Sequence, residues 1–129
     1  MKALSIRPPW AHAIAQLGKR IENRTWATRY RGPLLIHASS TFVRSEFDEL
    51  AEIIGYRIEP SACASGLIVA IADLVDCVDA RLAPGKWTCG PTAWRLRNVR
   101  LLRAPVPAKG RLGLWTPTHA IVRRVLASL

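Results

Sequence analysis

Gly18-Lys19-Arg20-Ile21-Glu22-Asn23-Arg24-Thr25-Trp26, with Tyr30-Arg31-Gly32-Pro33-Leu34-Leu35-Ile36-His37-Ala38 close behind it, reads as two adjacent strands joined by a turn. Side chains alternate along a strand, so Arg20, Glu22, Arg24 and Trp26 fall on one face and Ile21, Asn23 and Thr25 on the other. The second strand opposes Leu34, Ile36 and Ala38 to Leu35 and His37. Glu22 is the only acid in the first 45 residues, set among eight lysines and arginines. A solitary carboxylate beside a lysine, an arginine and an aromatic ring points to a site more than to a solvated surface.

Outward from this pair, the chain supplies elements of both kinds. Lys2 to Ile6 is a short apolar strand, and Pro8-Pro9 opens a helix whose stripe is Trp10, Ile14 and Leu17, stopped at Gly18. After the His37 strand, Ser40 or Thr41 is placed to cap a second helix with the stripe Val43, Phe47, Leu50 and Ile54, ended by Gly55. Glu46, Asp48, Glu49 and Glu52 then lie on its wet side. Gly66 to Val78 is the longest apolar run and reads as a central strand bent near Asp73. Asp79 to Pro91, with Pro84-Gly85 and Gly90-Pro91, is a long loop. Ala93 to Leu102 is another strand, Ala104 to Lys109 is extended and irregular, and Leu112 to Trp115 is a last short strand. Thr116-Pro117 opens a terminal helix with the stripe Ile121, Val125 and Leu129. The sum is one α+β domain over residues 1–129, with five to six strands and about three helices.

Composition narrows the function. The 129 residues carry a formal charge of +10, a field that attracts polyanions. Residues 46–79 hold eight acids against one arginine, whereas residues 80–129 hold ten cations and no acid. A basic side built from both chain ends and a separate acidic side are the simplest expectation. Cys63, Cys77 and Cys89 show no C-x-x-C spacing, and His12, His37 and His119 are scattered, so neither a disulfide framework nor a metal site is expected. There is no phosphate-cradling glycine loop and no nucleophile elbow, and no cofactor is expected. No apolar run reaches the length of a membrane helix and no signal-peptide core stands at the N-terminus, which reads as a cytoplasmic chain.

Leu4-Ser5-Ile6-Arg7-Pro8-Pro9-Trp10, the Gly18–Trp26 and Tyr30–Ala38 segments, Gly66-Leu67-Ile68-Val69-Ala70, Leu74-Val75-Asp76-Cys77, Trp94-Arg95-Leu96, Pro105-Val106-Pro107-Ala108-Lys109-Gly110 and Gly113-Leu114-Trp115 together resemble the ASCH domain (activating signal cointegrator homology) over nearly the whole chain. The resemblance implies a PUA-like fold, a small mixed β-barrel flanked by helices, with a ligand cleft near the Gly-Lys segment proposed for RNA or nucleotides. Some relatives of this kind hydrolyse N4-acetylcytidine and others cleave RNA. The hydrolysing relatives carry threonine where this chain has Glu22, which argues against direct transfer of that chemistry.

The candidates follow from residue type. Lys19 suits a phosphate as a point charge or acts as a base once desolvated. Glu22 is an ionised acceptor that can take a proton from water or orient an exocyclic amine. The planar guanidinium of Arg24 suits phosphate recognition or stabilisation of developing charge. These three are the expected catalytic or polar-recognition group. Trp26 or Trp10 can stack a base, while Ser5, Arg31 and His37 are expected to line the substrate site. Trp87 lies in a loop able to close over a ligand, and Trp94 and Trp115 read as core. Lys109, Arg111, Arg123 and Arg124 read as a basic face for a phosphate backbone. RNA or a modified nucleoside is the expected partner. Binding is the first reading, with an N4-acylcytidine amidohydrolase or a ribonuclease as the alternative.

Overall fold

Alternation in the stretch 32–38 sets the centre of the molecule. In the computed structural model, which describes residues 1–129, strand β3 (Gly32–Ala38) is buried on both sides. Leu34 and Ile36 join one core with Leu4, Ile6, Ile14, Leu74 and Trp94. Leu35 joins another with Ala3, Ile71, Val106, Trp115 and Val125. Burying an aliphatic side chain of this size stabilises by roughly 1.5–3 kcal/mol, so this short strand anchors both layers.

Six strands form one curled half-barrel sheet in the order β2-β5-β4-β3-β1-β6. They are β1 (Lys2–Ile6), β2 (Ile21–Arg24), β3, β4 (Leu67–Asp79), β5 (Thr92–Pro107) and β6 (Leu114–Trp115). β1 runs parallel to β3, with Ser5 beside His37, and every other pairing is antiparallel. Helices α1 (Trp10–Gln16), α2 (Arg44–Ile54) and α3 (His119–Ala127) flank the sheet. The α+β architecture and the strand and helix numbers are those expected. No helix is long and apolar enough to cross a membrane.

Several local expectations need correction. Neither Ser40 nor Thr41 caps α2; Val43 holds the N-cap position in extended conformation with no side-chain hydrogen bond. Phe42, just outside the helix, instead packs on Phe47 with ring centroids 4.9 Å apart, a hydrophobic staple that fixes the entry angle. Thr116 does not cap α3. Its hydroxyl accepts from Lys2 Nζ at 2.7 Å, and Thr118 takes the cap, its Oγ1 accepting from the Ile121 N–H at 3.2 Å. The segment 104–107 is not irregular but continues β5. β2 flanks β5 only along Thr92–Arg95, so no strand covers that side of the far half of β5; there the Arg103 N–H donates to the Ser128 carbonyl at 2.7 Å, and Pro105 and Pro107 are tolerated. The bend expected near Asp73 is present as a register shift between Ile71 and Asp73.

Several acids of the 46–79 segment are met by cations in the fold. Across the β4–β5 pairing Asp73 lies 4.0 Å from Arg100. Asp76 meets Arg31 at 3.4 Å, Asp79 meets Arg81 at 3.0 Å, and Asp48 meets Arg57 at 2.6 Å.

Gly18 positions the site. Its φ of +77° ends α1 in a left-handed turn that a side chain would strain. The Lys19 N–H then reaches back to the Ala13 carbonyl at 3.2 Å, and the chain enters β2 from there.

Candidate functional site

The Lys19–Arg24 segment builds a closed ionic network. Lys19 is 2% exposed and Glu22 is 6% exposed. Lys19 Nζ donates to the Ile21 carbonyl and to Glu22 Oε1, the latter at 3.2 Å. Arg24 Nε donates to Glu22 Oε2 at 3.1 Å, and its Nη2 donates to the Ser5 carbonyl at 3.0 Å. Both carboxylate oxygens are therefore held, one by each cation. Lys19 Nζ also lies 5.7 Å from the centre of the Trp10 ring, inside cation–π range.

This network lines a cleft of about 540 Å³. Trp10 from the start of α1 and Trp87 from the loop before β5 contribute its aromatic walls. Helix α2 contributes Glu46, Glu49 and Ile53, and the segment after β5 contributes Arg111, Leu112 and Gly113. Arg7, Lys86 and Thr41 complete much of the rim. Five cations (Arg7, Lys19, Arg24, Lys86 and Arg111) face three carboxylates (Glu22, Glu46 and Glu49), so the cleft is mixed in charge with a basic excess.

Two ties hold the walls. Arg7 grips Glu46 through Nε–Oε1 at 2.9 Å and Nη2–Oε2 at 2.6 Å, joining the β1–α1 turn to α2. Glu46 thereby keeps the Arg7 guanidinium above its ordinary value. Asn23 spends its side-chain amide on the Trp87 loop. Its Nδ2 donates to the Trp87 carbonyl at 2.9 Å, and its Oδ1 accepts from the Cys89 N–H at 2.9 Å. Burial pushes the Cys89 thiol upward, with nearby Lys19 opposing, so Cys89 enters the cleft as a thiol and not a thiolate.

Residues 4–98 match the ASCH domain family. The chain belongs to that family. It is similar to Activating signal cointegrator 1 of Homo sapiens, at 26% identity over 126 residues that cover 87% of this chain and 21% of the human protein. It is also similar to Activating signal cointegrator 1 of Mus musculus, at 33% identity over 86 residues covering 60% of this chain and 14% of that protein. The chain thus spans about a fifth or less of the curated relatives it matches. Among solved structures, a serine-to-alanine variant of ZmASCH from Zymomonas mobilis superposes with a TM-score of 0.64 at 15% identity, covering 98% of this chain and 94% of that one. ASCH from Zymomonas mobilis gives a TM-score of 0.59 at 14% identity, covering 98% and 93% of the two chains. These two likenesses carry the fold.

Within this ASCH domain, Ser5, Trp10, Lys19, Glu22 and Arg24 all line the one cleft. Trp26, Arg31 and His37 do not. β2 ends at Arg24, so Trp26 has left the alternation; its ring packs edge-on to Trp94 at 4.8 Å, and its carbonyl accepts from Trp94 Nε1 at 2.9 Å. Arg20 also leaves the shared face, donating to the Ile14 and Lys19 carbonyls. Arg31 turns to Asp76. His37 is 1% exposed behind Ser5, its Nδ1 3.0 Å from Ser5 Oγ and its Nε2 2.7 Å from the Ala108 carbonyl oxygen. Trp94 and Trp115 are core, as expected. Sequence reasoning missed Arg7, Asn23, Glu46 and Glu49 as cleft residues. Arg7 and Asn23 carried a signal, their places inside the motif segments, although alternation had sent Asn23 to the other face.

Proposed function

We propose that the cleft binds a nucleobase together with its phosphate, as part of an RNA or as a free nucleotide. The observation that carries this reading is the state of Arg24. Glu22 and the Ser5 carbonyl pin its guanidinium through Nε and Nη2, while Nη1 has no partner in the protein and the residue lines the cleft. A fixed guanidinium with unspent donors suits a phosphate or carbonyl oxygen. Trp10 and Trp87 give the cleft aromatic surface for a base, Glu49 offers a carboxylate acceptor to an exocyclic amine, and Arg7, Lys86 and Arg111 favour the phosphate. Binding is preferred over hydrolysis by Lys19 and Glu22 because each is already committed to the other, with Lys19 also bonded to Ile21.

The test is calorimetric titration with nucleoside monophosphates and a short single-stranded RNA. Affinity for the RNA should fall with salt, with a log–log slope of about −0.7 per phosphate contacted. Trp10→Ala should weaken binding by about 1–3 kcal/mol, the scale of one base–aromatic stack. No binding at low salt, or unchanged affinity in both Trp10→Ala and Arg24→Gln, would refute the reading.

A further inference from the structure

Ser5, His37 and Ala108 form a hydrogen-bonded line at the cleft that the binding reading leaves unused. A carbonyl oxygen only accepts, so His37 Nε2 carries the proton and donates to the Ala108 carbonyl at 2.7 Å. Nδ1 is thereby left with its lone pair, and the Ser5 hydroxyl, 3.0 Å away, donates to it. Trp115 Nε1 donates to the same Ser5 Oγ at 3.1 Å, a contact that also stabilises negative charge there. The hydroxyl therefore has a base for its proton, and the base has an orienting partner, at the separations a nucleophile–base pair needs.

The surroundings fit the same chemistry. Ser5 is half-buried and lines the cleft, whereas His37 stands behind it, sealed from water. Burial lowers the His37 imidazole from its ordinary value of 6.5, against the pull of the Ala108 carbonyl, so the ring is neutral at physiological pH. Arg24 reaches the Ser5 carbonyl at 3.0 Å and brings its free Nη1 to the same neighbourhood. Gly110 passes so close that a Cβ there would stand 2.7 Å from Ser5 Oγ and 2.8 Å from His37 Cε1. The Gly110 backbone thus packs directly against the serine–histidine pair, and a side chain there would push the two apart.

The geometry points to Ser5 as a nucleophile for acyl transfer, with His37 as its general base, the Ala108 carbonyl as the group that orients the ring, and esters or similarly activated acyl compounds as the substrate class. Ser5 Oγ bonds to the acyl carbon while its proton passes to His37 Nδ1. The carbonyl π electrons move to the acyl oxygen, which Arg24 stabilises. Collapse of this adduct breaks the bond to the leaving group, which departs with the proton from Nδ1. A water then attacks the acyl-serine, giving its proton to Nδ1, and Ser5 Oγ leaves and recovers that proton. The sum is acyl compound plus water giving a carboxylic acid and the protonated leaving group.

The experiment uses p-nitrophenyl acetate and an alkyl fluorophosphonate, neither of which carries a nucleobase. The expected result is steady release of p-nitrophenol and a single phosphonyl adduct on the Ser5 peptide by mass spectrometry, both lost in Ser5→Ala. His37→Gln should slow labelling by about 10²-fold or more, the usual contribution of a general base. Because that variant removes a buried ring, nitrogen-15 NMR of the wild-type imidazole gives a second readout, and the Nε2–H tautomer is expected. The proposal is overturned by absence of a Ser5 adduct in the folded protein, by equal labelling in His37→Gln, or by an Nδ1–H tautomer, which cannot accept the serine proton. Nucleotide titration of the same samples separates the two claims. Binding without labelling removes the nucleophile and leaves the binding site, and labelling without binding does the reverse.

Discussion

Replacing Glu22 by glutamine should destabilise the protein far more than its small change of shape suggests. Lys19 and Glu22 have side chains only 2% and 8% exposed, so the ammonium has little water to fall back on once the carboxylate charge is gone. Removing one member of a buried ion pair costs about 3–5 kcal/mol, because the other charge stays desolvated. The glutamine amide adds a second fault: if its oxygen accepts from Lys19, its NH₂ donor faces the Arg24 donors that Oε2 had satisfied. Lys19→Met alone should cost somewhat less, since Arg24 still partners Glu22 and its side chain is 23% exposed. The double variant should cost clearly less than the sum of the singles, with a coupling energy of about 2–3 kcal/mol, at the upper end for directly contacting groups. The assay is urea unfolding of all four proteins. With a typical slope near 2 kcal/mol per molar, the Glu22→Gln midpoint should fall by about 2 M. A loss below about 1 kcal/mol for Glu22→Gln, or additive singles, would show that the pair is solvated and that the closed network described here is wrong. A stable double variant that no longer binds nucleotide would show that the pair serves the ligand more than the fold.

Three other outcomes follow from the contacts around the cleft. Gly110→Ala should lower stability by about 1–3 kcal/mol in thermal unfolding, because the new Cβ meets Ser5 Oγ at 2.7 Å and His37 Cε1 at 2.8 Å and neither partner is a free side-chain end. Asn23→Ala should raise hydrogen exchange at Trp87–Cys89 and leave β3 and β4 protected, since both amide bonds to that loop are lost; unchanged exchange would mean the loop is held by something else. For His37, the lowered folded value means that the unfolded chain takes up the proton first. Its contribution is complete above the ordinary value of 6.5 and is lost as pH falls through the folded value, so the stability gap between wild type and His37→Gln should narrow between about pH 8 and about pH 5. A gap independent of pH would contradict a neutral buried ring.

Much of this fold was legible because periodicity and burial agree. The run 67–78 is apolar because β4 is central, and Leu34, Leu35 and Ile36 are all apolar because β3 has core on both faces. The heart of the site was legible for a different reason: Lys19, Glu22 and Arg24 lie within one short segment, and a two-residue repeat on a strand suffices to bring Glu22 and Arg24 together. The same rule failed at its margins. β2 ends at Arg24, so Trp26 no longer obeys it. Asn23 obeys no simple face because its amide bridges out of the sheet to a loop more than sixty positions away. Arg7 and Glu46 are separated by 39 positions, and nothing local in either neighbourhood announces the other. Glu46 read as a dipole-favoured acid in the first turn of a helix, a role any early acid can fill. Only the placement of α2 turned it into a wall of the cleft.

The charge pattern shows why order along the chain is a poor guide to the field a ligand meets. The acids of β4 are answered by arginines of β5 and of the β2–β3 connection, so their run in sequence is largely neutralised in space. Beside Glu22 of β2, the acids that line the cleft come from α2. Arg7 holds Glu46 through two bonds, whereas Glu49 is exposed and has no ion-pair partner in the protein. A bare polyphosphate would gain from Lys86 and Arg111 but would also meet this free carboxylate in the same cleft. A ligand that offers hydrogen-bond donors to Glu49 and negative charge to Lys86 and Arg111 satisfies both. On the proposed reading, an amino-bearing base with its phosphate meets that demand, and the basic excess of the whole chain serves approach to the molecule more than choice among ligands.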